Sequence, residues 1–567
     1  MHQLRRKTKQ QMGIQNTGTI NSSPVCAIIP AAGPPRGGWG ESVDDESSDA
    51  MTPIAGKPAI FWTISFLIDN GIRSISIVVS KRGNLLERFV STIFNGLVDL
   101  IFTTSTVSNG VGDSVLQGAV QFSDKVPVIV VLGDTVLYRR ESLTFGDTSF
   151  ATLAEVKEHE RWCMADTNGE YITCLQDRPI AEMPGRLALT GIYYFAKGLG
   201  DSADAVLHKR RLTSPIEMSD LLQHLVVARQ LKWIRDDHWL DVGNPDHVHL
   251  AHSTMVQSRS FNRLNINHKR GTITKTSTYV SKFYDEINYF LLIPRELSVY
   301  FPRVVDYSLS PGNLSIEMEY YAYPTLSDIF LFQKAKPVMW ERIFARLFTI
   351  SEEFISMEYG SGIECGNEIY VRKNVERLER FQKSIPEGLE ILANDRELFI
   401  NGEKAIPLKE AFERSESALK KLAESTKLTP IHGDLCFSNI LCEPARCLIK
   451  FIDPRGSFGK SGVLGDFRYD VAKLHHSAIG LYDYIVNDLV DISGTDGNYT
   501  IHFPTSQETA KIQKTFQREY LCKFNRCEIE MISAWLFLSM LPLHSDSVKR
   551  QKALALRGLQ LLNWALQ

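Results

Sequence analysis

No window of about 18 uncharged apolar residues, the length a membrane-spanning helix needs, occurs in the chain, so no transmembrane helix is expected. The net charge is only −3, which gives no basis for general attraction to nucleic acid or to a membrane surface. The nine cysteines include no C-x-x-C pair, and Cys436, Cys442 and Cys447 are spaced in no zinc pattern. Reduced thiols in a cytoplasmic protein are the expectation. There is no internal repeat and no low-complexity tract. The first 23 residues are basic and polar, without the apolar centre of a signal peptide, and read as a flexible tail. What is present, 44% hydrophobic and 23% charged residues over 567 positions, describes a soluble globular chain too long for a single core.

Residues 24–257 read as a first domain of α/β class. The run V-C-A-I-I-P from Val25 is short and continuously apolar, as a buried parallel strand requires. A Gly- and Pro-rich loop follows, then an amphipathic helix from Ala59 to Asn70, a strand from Ser74 to Ser80, and another from Val128 to Leu132 that ends in G-D-T. Strands alternating with helices predict a Rossmann-like, mostly parallel sheet with ligands at the carboxyl ends of its strands.

The segments A-A-G, P-I-A-G-K-P, V-L-G-D-T, L-T-G-I-Y-Y-F and W-L-D-V-G-N-P resemble the sugar-phosphate nucleotidyltransferases. The resemblance implies that Asp134 and Asp241 are catalytic and bind Mg²⁺ across the α-phosphate and the incoming phosphate. It places Gly33, Arg36 and Lys57 at the triphosphate, Gly112 and Ser114 at the nucleobase, Arg178 at the sugar phosphate, and Gly191 close to the sugar. A plain turn glycine is the other reading of Gly112 and of Gly191. Two departures stand out. Pro34 and Pro35 remove two backbone donors from the first loop, and Asp49 occupies the position of a signature lysine, at the end of an acidic insert beginning at Glu41.

Residues 258–567 are organised around I-H-G-D-L-C-F-S-N-I-L, from Ile431 to Leu441, which sets Asp434 and Asn439 five residues apart. Fourteen residues beyond Asn439 stands Asp453, in I-D-P-R-G. Phosphoryl transfer from ATP needs these parts: a carboxylate on the attacking hydroxyl, and an amide with a second carboxylate on Mg²⁺. The same motifs resemble the aminoglycoside phosphotransferase and choline kinase group, which implies an α+β, bilobal, protein-kinase-like domain. By that resemblance Asp434 is the catalytic base, Asn439 and Asp453 are metal ligands, and Asp470 braces the loop. The pattern F-N-R-L-N-I, H-K-R-G, T-I-T-K-T-S predicts a hairpin. The resemblance implies that it carries a phosphate-binding lysine, Lys275 or else Lys282, with Glu286 on the next helix as its partner. A solvated surface pair is the bland alternative. Residues 315–323 look like the strand and hinge that meet adenine in that group, and residues 338–424 read as helical by their 3.6-residue periodicity, building the larger lobe. His475 and His476 are expected to be structural.

Together the two halves predict a bifunctional enzyme. One domain would phosphorylate a small hydroxylated metabolite, sugar or sugar-like, with ATP and Mg²⁺. The other would join the product to a nucleoside monophosphate from a second nucleotide, CTP or UTP, with release of pyrophosphate, for surface or capsule polysaccharide precursors. The alternatives are an active kinase with a non-catalytic nucleotide-binding first domain, and synthesis of CDP-alcohols of choline or ethanolamine type. The expected partners are the acceptor and nucleotides, with no nucleic acid and no membrane, and self-association is left open.

Overall fold

A computed structural model describes residues 25–567 apart from 34–47, 82–83, 106–109, 139–141, 181–184, 210–214, 244, 256–261, 311, 333–334, 388, 390–396 and 444–445. The chain divides into two compact units, Met1–Met255 and Val256–Gln567.

The first unit is built on a nine-stranded sheet. Its strands in chain order are β1 (Cys26–Ala31), β2 (Ser74–Ser80), β3 (Asp99–Ser105), β4 (Val128–Val131), β5 (Ser149–Ala154), β6 (Cys163–Asn168), β7 (Tyr171–Asp177), β8 (Leu187–Phe195) and β9 (Leu231–Arg235). Across the sheet they run β3-β2-β1-β4-β8-β5-β9-β7-β6. The first four are parallel, and β1 and β4 are buried along almost their whole length, which is why their sequences are unbroken apolar runs. Beyond β4 the sheet is mixed, not mostly parallel as expected. β8 runs antiparallel to both β4 and β5, because the β6–β7 hairpin turns at Gly169 and Glu170 and returns the chain with no helical crossover.

The helix Ala59–Asp69 buries Ile60, Ile64, Leu67 and Ile68, and it ends where Gly71 takes a positive φ. Chain order reverses at β1, whose neighbours are β2 on one side and β4 on the other. Such a switch point opens a crevice at the carboxyl ends of the two central strands. Here the loops meet closely: the Gly133 N–H donates to Pro30 O at 3.2 Å, and a Cβ on Gly133 would lie 3.0 Å from that oxygen.

The second unit opens with a four-stranded antiparallel sheet, in the order Asn262–Asn267, Thr272–Ser277, Ser315–Glu319, Val304–Ser308. The helix Val280–Leu292 buries Phe283, Ile287 and Phe290, and Glu286 lies on the same stripe. The rest is dominated by helices, including Pro337–Ser356, Leu408–Glu424, Phe467–Ala478, Arg526–Leu538 and Val548–Ala565. Residues 338–424 are mostly helical, as expected, but not throughout. Asn367–Arg372 forms a π-helical turn, and Leu398–Ile400 pairs with Glu403–Ala405 in a hairpin that joins a second hairpin, Asp491–Thr495 with Asn498–His502. The turns are Asn401-Gly402 and Asp496-Gly497, and all four residues have positive φ. That is the backbone of a type I′ turn, which Asn-Gly and Asp-Gly favour. No helix among the described residues is long and apolar enough to cross a membrane.

Candidate active sites

In the first unit Asp134 follows β4 and Asp241 ends the short strand Trp239–Asp241, which pairs with Thr135–Leu137. This pairing sets Asp241 opposite Thr135, and the Val242 N–H donates to Asp134 O at 2.9 Å. The two carboxylates flank one point: a methyl group on Gly243 would lie 3.1 Å from Asp241 Oδ1 and 3.2 Å from Asp134 Oδ2. The Gly243 N–H already donates to Asp241 Oδ1 at 2.9 Å. His247 Nδ1 stands 3.6 Å from the other Asp241 oxygen, and its ring stacks on Trp162, which meets Trp239 edge-on. The sequence reading missed His247 and Gly243; the W-L-D-V-G-N-P segment contained the signal for the glycine.

The softer assignments spread out. Arg36 lies outside the described residues. Gly33 is exposed with open space around its Cα, and Lys57 lies over the Phe61 ring. Gly112 sits in the first turn of the helix Val111–Ala119, not in a loop, and its N–H donates to Ile216 O at 2.8 Å. A Cβ there would come within 2.6 Å of Glu217 O, so backbone packing alone demands glycine. Ser114 is buried on the same helix. Gly191, at φ 101°, marks an irregularity of β8 against β5, and a Cβ there would lie 2.7 Å from Thr135 Oγ1, on the residue after Asp134. Arg178 is exposed just past β7, with positive φ, and its N–H donates to Trp162 O at 3.0 Å. Asp49 is buried in a short 3-10 turn whose preceding Ser48 hydroxyl donates to Ala31 O at 2.9 Å.

In the second unit distant segments meet in one place. Strand Ile440–Glu443 turns back on Leu448–Phe451, and the Ile452 N–H donates to Asn439 O at 3.0 Å, so Asp453 returns to the Asn439 loop. Lys275 Nζ donates to both Glu286 oxygens, at 2.7 and 2.9 Å, and to Asp453 Oδ1 at 2.9 Å. This pair is buried, with the Lys275 side chain 5% exposed, so the solvated surface alternative fails. Burial works to lower the Lys275 pKa, but Asp453 and Glu286 outweigh it and hold the ammonium above its usual range. Burial and the Asp453 charge push Glu286 up to about 7 against the pull of Lys275. Lys282, the other lysine considered, lies instead over the Tyr279 ring.

Asp434 and Asn439 face each other: Asn439 Nδ2 donates to Asp434 O at 2.8 Å and to Oδ2 at 3.2 Å. The remaining Asp434 oxygen is 2.8 Å from Lys473 Nζ, a residue the sequence reading passed over inside G-D-F-R-Y-D-V-A-K-L. Burial would raise Asp434, but Lys473 outweighs it, so the carboxylate stays ionised. Asp470 accepts from the His432 and Gly433 amides at 2.6 and 2.7 Å. His432 is buried, stacked on Phe301 and held down to about 4 by desolvation, hence neutral. Its Nε2 then donates to Ile452 O at 2.9 Å while Nδ1 accepts the Asp434 N–H at 3.2 Å. His475 and His476 are fully buried, and His475 Nδ1 bonds Ser533 Oγ at 2.9 Å.

Among the described residues no group of three or more His, Cys, Asp or Glu side chains is placed to hold a metal ion. A cation at either site would share its ligands with nucleotide phosphates and water, as Mg²⁺ commonly does when one or two carboxylates supply the protein's part. Asp134 with Asp241, and Asn439 with Asp453, suit that chemistry.

Residues 45–258 match the family model for nucleotidyl transferases, so this segment is a nucleotidyltransferase-type α/β domain. The chain is similar to the low-salt glycan biosynthesis nucleotidyltransferase Agl11 of Haloferax volcanii, 25% identical over 40% of this chain and 64% of that one. It is also similar to the glucose-1-phosphate thymidylyltransferases of Neisseria meningitidis, 24% identical over 39% of this chain and 79% of the relative, and of Xanthomonas campestris, 27% identical over 36% and 72%. The chain thus spans under two thirds of the length of the Haloferax relative.

Proposed function

We propose a two-step enzyme. The second unit phosphorylates a hydroxyl of a small metabolite with ATP, and the first unit transfers a nucleoside monophosphate onto the phosphorylated product. The observation that carries the first step is the meeting of Lys275, Glu286 and Asp453, with Asn439 and Asp434 on the adjoining loop. In this reading Lys275 receives the ATP phosphates, held by Glu286, and Asn439 and Asp453 hold Mg²⁺. Asp434 orients the acceptor hydroxyl and takes its proton as the oxygen bonds the γ-phosphorus and ADP leaves. Mg²⁺, when bound, supplies charge neutralisation between the β- and γ-phosphates.

For the second step, Asp134 and Asp241, whose carboxylates border one point, would hold the cation. A phosphate oxygen of the acceptor attacks the α-phosphorus of the nucleotide, and pyrophosphate leaves. The names of the relatives support a sugar 1-phosphate as acceptor and add dTTP to CTP and UTP as donors to be tried. They also support a place in glycan precursor synthesis. A second reading, in which the first unit binds a nucleotide without turning it over, is favoured by the buried Asp49 where a lysine is expected.

The test is a mass-spectrometric product screen with Mg²⁺, ATP, CTP, UTP, GTP and dTTP against sugars, sugar acids and amino alcohols. A nucleotidylated product that stops at the phosphorylated acceptor in Asp134→Ala, and vanishes in Asp434→Ala, is the expected result. Phosphorylated acceptor alone, unaffected by Asp134→Ala, would favour the binding-only reading of the first unit.

A further inference from the structure

Cations gather around Tyr469, one helical turn before the Lys473 that pairs with Asp434, in numbers that the phosphoryl-transfer step does not use. Lys373 and Arg377 stand four residues apart on the helix Lys373–Gln382, directly after the π-helical turn Asn367–Arg372. Turns of this kind occur often at functional sites. Lys373 is 7% exposed, its Nζ donates to Tyr469 Oη at 3.2 Å, and it lies 4.6 Å from the centre of that ring. Arg455 follows Asp453 by two residues. Its backbone N–H donates to His432 O at 3.0 Å, and its guanidinium donates to the same Tyr469 hydroxyl at 3.4 Å. Lys473, one turn beyond Tyr469, already pairs with Asp434.

Lys373, Arg377 and Arg455 form no ion pair with a carboxylate among the described residues; Tyr469 Oη and, for Arg377, the Ser539 carbonyl are what they reach. Glu376 lies near Arg377 without pairing, and Asp470 is engaged by the His432 and Gly433 amides. Lys373 is buried and Arg377 and Arg455 are half-buried, and Tyr469 can set at most one negative charge against the three, so the excess positive charge is costly to hold. Like charges four apart on a helix also repel. An anion arriving between them relieves both.

We infer that the acceptor phosphorylated by the second unit is itself an oxyanion, a hydroxylated compound bearing a carboxylate or a phosphate ester, and that Lys373, Arg377 and Arg455 receive that group beside Asp434. The inference rests on the phosphotransferase reading for its consequence, not for its site. Arginine matches either oxyanion with a two-pronged donor set, and lysine adds a point charge. The same cluster would repel choline or ethanolamine, so it weighs against an amino-alcohol acceptor.

The test uses the full chain with Mg²⁺ and a non-hydrolysable ATP analogue, titrated calorimetrically with glucose, glucuronate and glucose 6-phosphate. At least one anionic probe is expected to bind about tenfold or more tighter than glucose, a step of about 1.4 kcal/mol. Which of the two binds tells carboxylate from phosphate. Arg377→Gln and Lys373→Gln should each shrink that preference, and the more exposed Arg377 keeps the test open if Lys373→Gln misfolds. Equal binding of glucose and both anions, no binding of either anion, or variants that weaken glucose and anion alike would overturn the inference. In a parallel run with ATP, an anion that binds without ADP formation refutes the phosphotransferase reading and leaves the anion site standing. ADP formed equally well from neutral acceptors does the reverse.

Discussion

Lys275 Nζ lies 2.9 Å from Asp453 Oδ1 although 178 residues of chain separate them, and it bonds both oxygens of Glu286 as well. One buried ammonium therefore holds two carboxylates that would otherwise repel. It also links the small antiparallel sheet to the loop after Phe451.

Lys275→Met should therefore destabilise the second unit as well as disable it. Removing one member of a buried pair costs about 3–5 kcal/mol. The loss has a pH signature through Glu286, whose folded pKa of about 7 lies above its unfolded value. A raised carboxyl stabilises while protonated and loses that contribution as pH rises through the folded value. Without the pull of Lys275 the Glu286 carboxyl rises further, so the variant goes on losing stability above pH 7. The denaturation midpoint of Lys275→Met should therefore fall further below wild type at pH 8 than at pH 6, and a gap that does not change with pH would refute the account.

Asp434→Asn keeps the shape of the loop but removes the charge that faces Lys473. ATP-dependent phosphorylation should drop by about 10²–10⁴-fold, the usual worth of a positioned general base. Pyrophosphate release from a supplied sugar 1-phosphate should stay at the wild-type rate, because that step is proposed for the other unit. Loss of both activities would contradict the division of labour.

Much of this was legible in the sequence because the chemistry sits in short contiguous motifs. H-G-D-L-C-F-S-N placed Asp434 and Asn439 on one loop, and the apolar run before Asp453 marked the returning strand. Lys275 and Glu286 were paired in advance only by resemblance to phosphotransferase-like folds; that the pair is buried rather than solvated had to come from the fold. The mixed sheet was not legible, since an antiparallel β8 depends on a hairpin between two strands, C-M-A-D-T-N and Y-I-T-C-L-Q-D, too polar and too exposed to stand out as buried strands. Lys473, Arg455 and Lys373 were missed for another reason: a lone basic residue in a polar segment looks like a solvated face until the fold buries it. The Asn401-Gly402 and Asp496-Gly497 turns were readable and were passed over.

At the first unit's site, Asp134→Asn and Asp241→Asn should each abolish pyrophosphate release and weaken Mg²⁺ dependence, since both carboxylates border the same point. Gly243→Ala is the sharper probe. Its methyl group would stand 3.1 and 3.2 Å from the two carboxylate oxygens and intrude where the cation is expected. A rise in the Mg²⁺ concentration needed for half-maximal rate, with phosphorylation unaffected, is the expected result. A wild-type Mg²⁺ response in Gly243→Ala would place the cation elsewhere.

Tyr469 should ionise far below an ordinary tyrosine. Burial alone would raise it, but Lys373, Lys473 and Arg455 outweigh burial and bring it to about 7, against about 10 when unfolded. An ultraviolet titration should show one tyrosinate forming near neutrality, absent in Tyr469→Phe. Between these values the folded chain holds the proton less than the unfolded chain does, so the stability advantage over Tyr469→Phe should grow as pH rises from 7 to 9. A tyrosinate signal that starts only near pH 10 would remove this account.

The Asp470 carboxylate accepts the His432 amide with one oxygen and the Gly433 amide with the other, and none of these groups reaches solvent. Asp470→Ala leaves two buried donors without acceptors, at about 1–3 kcal/mol each. Asp470→Asn looks conservative but is not: one position keeps a carbonyl oxygen, and the other presents an NH₂ group to an N–H, donor against donor. The asparagine variant should therefore lose most of what the alanine variant loses. Phosphorylation should fall in both because Gly433 fixes where Asp434 points. Amide hydrogen exchange at His432 and Gly433 separates this from general unfolding, since it should quicken there before the helix Arg526–Leu538 is affected. If Asp470→Asn retains wild-type exchange and rate, the loop is held by the His432 ring and its bonds to Ile452 O and the Asp434 N–H, and not by Asp470.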